Sequence, residues 1–137
     1  MAERFLLEIV TIYRKLLSED VEEVYAPGAL GVFGVLAGHT PLLTLLNAGV
    51  VTYKRGSEAG VIAIGRGYAD VSHTKTTLLV ESAEFAGEID LDAAKFALSE
   101  SEEALKNLLP EDPGYEAAVA ARELSSARIA AKEKEKR

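Results

Sequence analysis

The stretch from Thr77 to Leu98, TLLVESAEFAGEIDLDAAKFAL, changes character in its middle. Its first half closes a region where short runs rich in Val, Ile, Leu, Tyr and Thr recur between turn residues. Its second half opens a region rich in Ala, Glu, Lys and Leu, which are strong helix formers. Ten of the eleven glycines lie at or before Gly87, and only Gly114 follows. Upstream, the runs FLLEIV, VEEVYA, GVFGVL, AGVVTYK, GVIAIG, GYADVS and TTLLVE are punctuated by PG, RGSEAG, GRG and SHTK. Runs of this length and spacing indicate an all-β sandwich or barrel. No repeat period points to a solenoid or propeller.

Downstream, the pattern predicts two helices. Asp90 is placed to cap the first, and Asp92 adds an acidic group to its first turn, where the helix dipole favours it. Leu91, Ala94, Leu98, Ser101, Leu105 and Leu108 then form one stripe of three- and four-residue steps. Pro110 ends that helix, and Asp112-Pro113 predicts a new N-cap with proline at the first helical position. The second helix gathers Ala117, Ala120, Leu124, Ala127 and Ala131 on one side, so an antiparallel hairpin is expected. The chain thus divides into a β domain over 1–87 and a helical hairpin over 88–137. A seam of Ala and Ser buries little apolar area at ~25 cal/mol per Å². The hairpin should therefore be held weakly, as an appendage or as an element able to leave one surface for another.

The 137 residues, 48% hydrophobic and 27% charged, suit one folded domain with an appendage. There is no cysteine, which excludes disulfides, thiolate metal sites and cysteine nucleophiles. The net charge of −7, with basic residues scattered, argues against nucleic acid and for a protein partner. MAERFLLEIV is neither a secretory signal nor an organelle presequence in pattern. The apolar stretch from Ala26 to Ala37 is interrupted by Gly and Pro and shorter than the ~20 residues that span a bilayer.

One of the two histidines lies within GVFGVLAGHTPLLTLLNAGVV, residues Gly31 to Val51. A phosphate loop requires Lys and Ser or Thr after its last glycine, whereas Gly38 is followed by His39 and Thr40. A dinucleotide fingerprint would lead into a long helix, and the surrounding pattern is β. Metal ligation by His39 lacks partners of ligand spacing, since His73 lies in the turn-like SHTK. No nucleophile elbow or carboxylate pair stands nearby, so the chain is not expected to be an enzyme. What remains is a glycine-rich apolar loop with a polar tip, stiffened by Pro41. Val32, Phe33, Val35 and Leu36 cannot all point inward on a two-residue period, so an outward apolar surface is expected.

These residues resemble the epsilon subunit of the F-type ATP synthase. The loop signature of a glycine-spaced apolar run, Gly-His-x-Pro-Leu-Leu-Thr and Gly-Val-Val is similar, and so are FLLEIV, VEEVYAPG, GRGYADV and the two closing helices. The resemblance implies a ten-stranded β-sandwich followed by a helical hairpin. It implies a non-catalytic rotor subunit that couples proton-driven rotation of the membrane c ring to ATP synthesis. Gly31, Val32, Phe33, Gly34, Gly38, His39, Thr40 and Pro41 match positions that contact the gamma subunit and the c ring. Val32 stands where relatives often carry an acid. The hairpin is implied to restrain ATP hydrolysis, with Arg122 and Arg128 directed at acidic loops of the catalytic alpha and beta subunits. Lys132 and Lys134, within KEKEKR, read as solvated charges. Some relatives hold ATP on the hairpin through Ile/Leu-Asp-x-x-Arg-Ala. Here Leu91-Asp92-Ala93-Ala94-Lys95-Phe96 has Lys for Arg and Phe for Ala, losing the fork that grips phosphate. Weak or absent ATP binding, no cofactor and no metal are therefore expected. The expected location is peripheral, at the cytoplasmic face of a bacterial plasma membrane or a plastid thylakoid equivalent. A free-standing β-sandwich adaptor with a helical tail is the alternative reading.

Overall fold

The computed structural model describes residues 3–136. Side-chain alternation sets the first strand, β1 (Phe5–Val10), whose Phe5, Leu7 and Ile9 enter the core. It is followed by β2 (Lys15–Val21), β3 (Glu23–Gly28), β4 (Gly31–Leu36), β5 (Leu42–Leu46), β6 (Gly49–Arg55), β7 (Glu58–Ile64), β8 (Gly67–Val71), β9 (Lys75–Val80) and β10 (Ala83–Phe85). The hydrogen-bonded order is β10-β7-β6-β3-β5-β8-β9-β1-β2, with β4 paired to β3. Among the described residues, only β1 and β9 run parallel. β3 meets β5 at a single pair, Gly28 with Leu46, and there the sheet folds over on itself. One half, β10-β7-β6-β3-β4, faces the other, β5-β8-β9-β1-β2. Between them lie Leu7, Ile9, Val24, Val35, Val51, Ile62, Ile64, Val71 and Leu78. This is the ten-stranded sandwich that the resemblance implies. Seven of its strands overlap the runs named from sequence; β2, β5 and β10 are additional.

After a short 3-10 turn over Ala86–Glu88, the chain forms α1 (Leu91–Lys106) and α2 (Tyr115–Glu135). Asp90 caps α1 as expected, its Oδ1 accepting from the Ala93 amide at 3.0 Å. α1 buries Ala94 and Ser101 from the expected stripe. The start of α2 differs from the sequence reading. Asp112 turns back instead, its Oδ2 accepting from the Leu109 amide at 2.8 Å, and Gly114 at φ 89° stands at the N-cap of α2. Aspartate is equally suited to closing a turn and to capping a helix, and here the turn after α1 wins. Ala127 and Ala131 are buried, whereas Ala117 is exposed. α2 packs on α1 and on the outer face of β6 and β7, where Ala131 meets a small cluster of Ala63, Ala86 and Ile89.

Candidate interaction surfaces

β4 is an edge strand, paired among the described residues only to β3. Its alternation sends Phe33 and Val35 toward the core and leaves Val32, 74% exposed, and Leu36 outside. The expected outward apolar surface is thus present on β4. Gly34 lies beneath the ring of Tyr25, its cross-strand partner, and a Cβ there would fall 2.6 Å from the ring. The hairpin from β3 to β4 turns through Ala29 and Leu30, and Leu30 is fully exposed at its tip. Beyond β4, Gly38 at φ 79° makes a turn that an L side chain rarely adopts. Its amide donates to the His73 carbonyl at 3.1 Å, so the loops carrying the two histidines adjoin through backbone. The His39 amide donates to Leu36 O, and the ring Nδ1 lies 2.6 Å from Thr40 O. His39 is half-buried, with Gly31, Thr40 and Pro41 exposed around it. Gly31, Val32, Phe33, Gly34, Gly38, His39, Thr40 and Pro41 therefore occupy one edge strand and the loop that follows it.

A larger surface lies on the outer face of the second half of the sandwich. Leu45 of β5 pairs with Tyr68 of β8, Tyr68 with Leu79 of β9, and Leu79 with Val10 of β1. All four point outward, forming one apolar row across four strands. Leu45 is 61%, Tyr68 50% and Leu79 42% exposed. Ile12 and Tyr13, both exposed in the turn after β1, extend it. Two residues along each strand runs a more polar row of Leu43, Asp70, Thr77, Glu8 and Ser18. Within it the Glu8 carboxylate takes Lys15 Nζ at 2.5 Å and Lys75 Nζ at 2.6 Å. Hydrogen bonds from these two ammoniums hold its pKa down at about 2. Sequence reasoning named none of the row. Its one signal was LLTLL, with more leucine than a two-sided strand hides.

The hairpin residues fall in different settings. Arg122 is exposed, whereas Arg128 Nε donates to Glu84 of β10. Lys132, read from sequence as a solvated charge, is half-buried, and its Nζ donates to Ala86 O at 3.2 Å and to Gly87 O at 3.4 Å. Lys134 is exposed. On the first turns of α1, Leu91 is half-buried, and Asp92, Lys95 and Phe96 are exposed. Among the described residues, no three His, Cys, Asp or Glu side chains come together as a metal site, and no helix is long and apolar enough to cross a membrane.

Residues 4–86 match the family of the ATP synthase delta/epsilon chain β-sandwich domain. Over 129 residues the chain is 50% identical to the ATP synthase epsilon chain of Geobacter metallireducens, covering 94% of each. The identity to that of Geobacter sulfurreducens is 49% over the same share of both chains. Among solved structures, a chain of the Euglena gracilis mitochondrial ATP synthase, an assembly of OSCP, F1 and c ring, has a similar fold at TM-score 0.77. The two are 23% identical, and the match covers 90% of this chain and 78% of that one. A chain of the central stalk and c ring of the Tetrahymena thermophila mitochondrial enzyme matches at TM-score 0.66 and 16% identity, covering 96% and 98%.

Proposed function

Because the chain belongs to the ATP synthase delta/epsilon family, we propose that it is a non-catalytic rotor subunit of that complex. It couples proton-driven rotation of the c ring to ATP synthesis and restrains ATP hydrolysis through its hairpin. The observation that carries this reading is the bare apolar row of Val10, Leu45, Tyr68 and Leu79. An exposed apolar patch spanning four strands fits a lasting protein partner, and the gamma subunit is the partner assigned to it. The exposed Leu30 and Val32 at the β3–β4 tip, together with Gly38 to Pro41, are assigned to the c ring and the adjoining stalk. Arg122 and Arg128 are assigned to acidic loops of the catalytic alpha and beta subunits when the hairpin leaves the sandwich.

ATP is held on the hairpin weakly or not at all. Lys95 stands exposed without the bidentate reach of arginine, and Arg128 and Lys132 are engaged with Glu84 and with backbone carbonyls. The subunit works at the cytoplasmic face of a bacterial membrane, peripherally, as a part of the larger complex. The test compares ATP hydrolysis by a reconstituted complex holding the full chain with one holding the chain cut after Gly87. Faster hydrolysis with the cut chain, with coupling kept, is expected. Unchanged hydrolysis would make the hairpin a structural appendage. Failure of the complex to take up either form would overturn the rotor assignment.

A further inference from the structure

The sandwich offers α2 two charged groups of opposite sign. Arg66, in the turn between β7 and β8, donates from Nε to Glu123 Oε1 at 2.8 Å, and its Nη2 lies 2.6 Å from the same oxygen. Its Nη1 lies 3.9 Å from Glu116. The turn that carries Arg66 is itself strapped down, since Gly65 N donates to Ser82 O and Glu81 N donates to Arg66 O, both at 2.9 Å. Further along the helix the polarity reverses. Glu84 of β10 accepts from Arg128, and the carbonyls of Ala86 and Gly87 accept from Lys132. The N-terminal half of α2 thus presents acids to a fixed cation, and its C-terminal half presents cations to a fixed anion and two carbonyls. Glu116 to Lys132 covers about 24 Å of helix at ~1.5 Å per residue.

We propose that these two clamps of opposite polarity key α2 onto the sandwich in one direction and one register, with Glu84 holding Arg128 for as long as the helix is docked. Reversing the helix would set Arg128 and Lys132 against Arg66, and Glu116 and Glu123 against Glu84. Sliding it by one turn, ~5.4 Å, would set Ala127 or Val119 in place of Glu123 at Arg66, and Lys132 or Leu124 in place of Arg128 at Glu84, so the Arg66 clamp reads the register in both directions. The apolar contact lacks such discrimination, because alanines such as Ala120, Ala127, Ala130 and Ala131 recur along the helix and offer similar small surfaces at several registers. The clamps are partly solvated, with Arg128 and Glu84 side chains 24% and 30% exposed. They therefore weaken as salt rises, and docking should loosen with ionic strength. A docked Arg128 is unavailable to any other acidic partner, so Glu84 and such a partner compete for one guanidinium. This last consequence rests on the braking role proposed above.

Hydrogen exchange of α2 amides in the isolated full chain tests the clamp without reference to the complex. Glu84→Arg and Arg128→Glu should each speed α2 exchange roughly fivefold at low salt while strand amides of β1 and β9 keep their protection. The double swap of both residues should return α2 to within about twofold of the parent. Unchanged exchange in the single variants, or a double swap no slower than they are, would overturn the clamp. In the reconstituted complex, Glu84→Gln should deepen the restraint on hydrolysis. Faster α2 exchange with no change in hydrolysis would leave the clamp standing and sink the braking role of Arg128.

Discussion

Glu8 is a charged residue in the middle of the apolar run FLLEIV, and two lysines from neighbouring strands make that tolerable. Lys15 comes from β2 and Lys75 from β9, on either side of β1. With its pKa lowered from the ordinary 4.5 to about 2, the folded state binds fewer protons than the unfolded chain between those values. The stabilisation is therefore fully present above pH about 4.5 and disappears as pH falls through about 2. Glu8→Gln removes it. Thermal unfolding followed by circular dichroism from pH 2 to 7 should show the variant melting below the parent by a constant gap near neutrality, the gap closing toward pH 2. A gap that ignores pH would mean that the contribution of Glu8 is packing rather than charge. None of this was legible in the sequence, because Lys75 reaches Glu8 through a parallel pairing of strands nearly seventy positions apart in the chain.

At the scale of elements, α2 is seated by small side chains. Ala131 has no exposed surface and touches Ala63, Ala86 and Ile89. Ala131→Leu adds volume to a closed contact, costing about 1–3 kcal/mol. That cost falls on docking, since the main core between the two sheet halves does not contain Ala131. Trypsin should then cut the variant faster after Arg122 and Arg128, while the exposed site of Ala117→Leu leaves cleavage unchanged. Equal cleavage in all three forms would show that the alanine seam does not set docking. The seam itself was readable as a helical period, and so was the cap at Asp90. The start of α2 was not, because Asp112 serves the preceding turn. Nor were three strands. β5 exposes Leu42, Leu43 and Leu45 and so lacks the alternation of a half-buried strand, β2 is broken by charge, and β10 has only three residues.

For the molecule as a whole, glycine distribution and helix-forming composition sufficed to separate a β-sandwich from a helical pair. The outward apolar row did not emerge, because Val10, Leu45, Tyr68 and Leu79 come from four strands and become one row only through register. The two surfaces that matter lie on different halves of the sandwich. α2 covers β6 and β7, while the row lies on β5, β8, β9 and β1. A hairpin leaving its seat therefore need not disturb the partner proposed for the row. Tyr68, half exposed at the middle of the row, is the residue on which that arrangement can be tried. Tyr68→Glu places a charge on a surface position, so the melting temperature should move by no more than a few degrees. At the centre of a partner contact the same carboxylate must be desolvated without a counter-charge, and affinity should fall by at least about tenfold. Interferometry with an immobilised gamma subunit reads that loss directly. Weakened binding with the melting temperature kept would seat gamma on this row. Undiminished binding would move the interface to the β4 edge around Val32 and His39, and leave the row to some other partner.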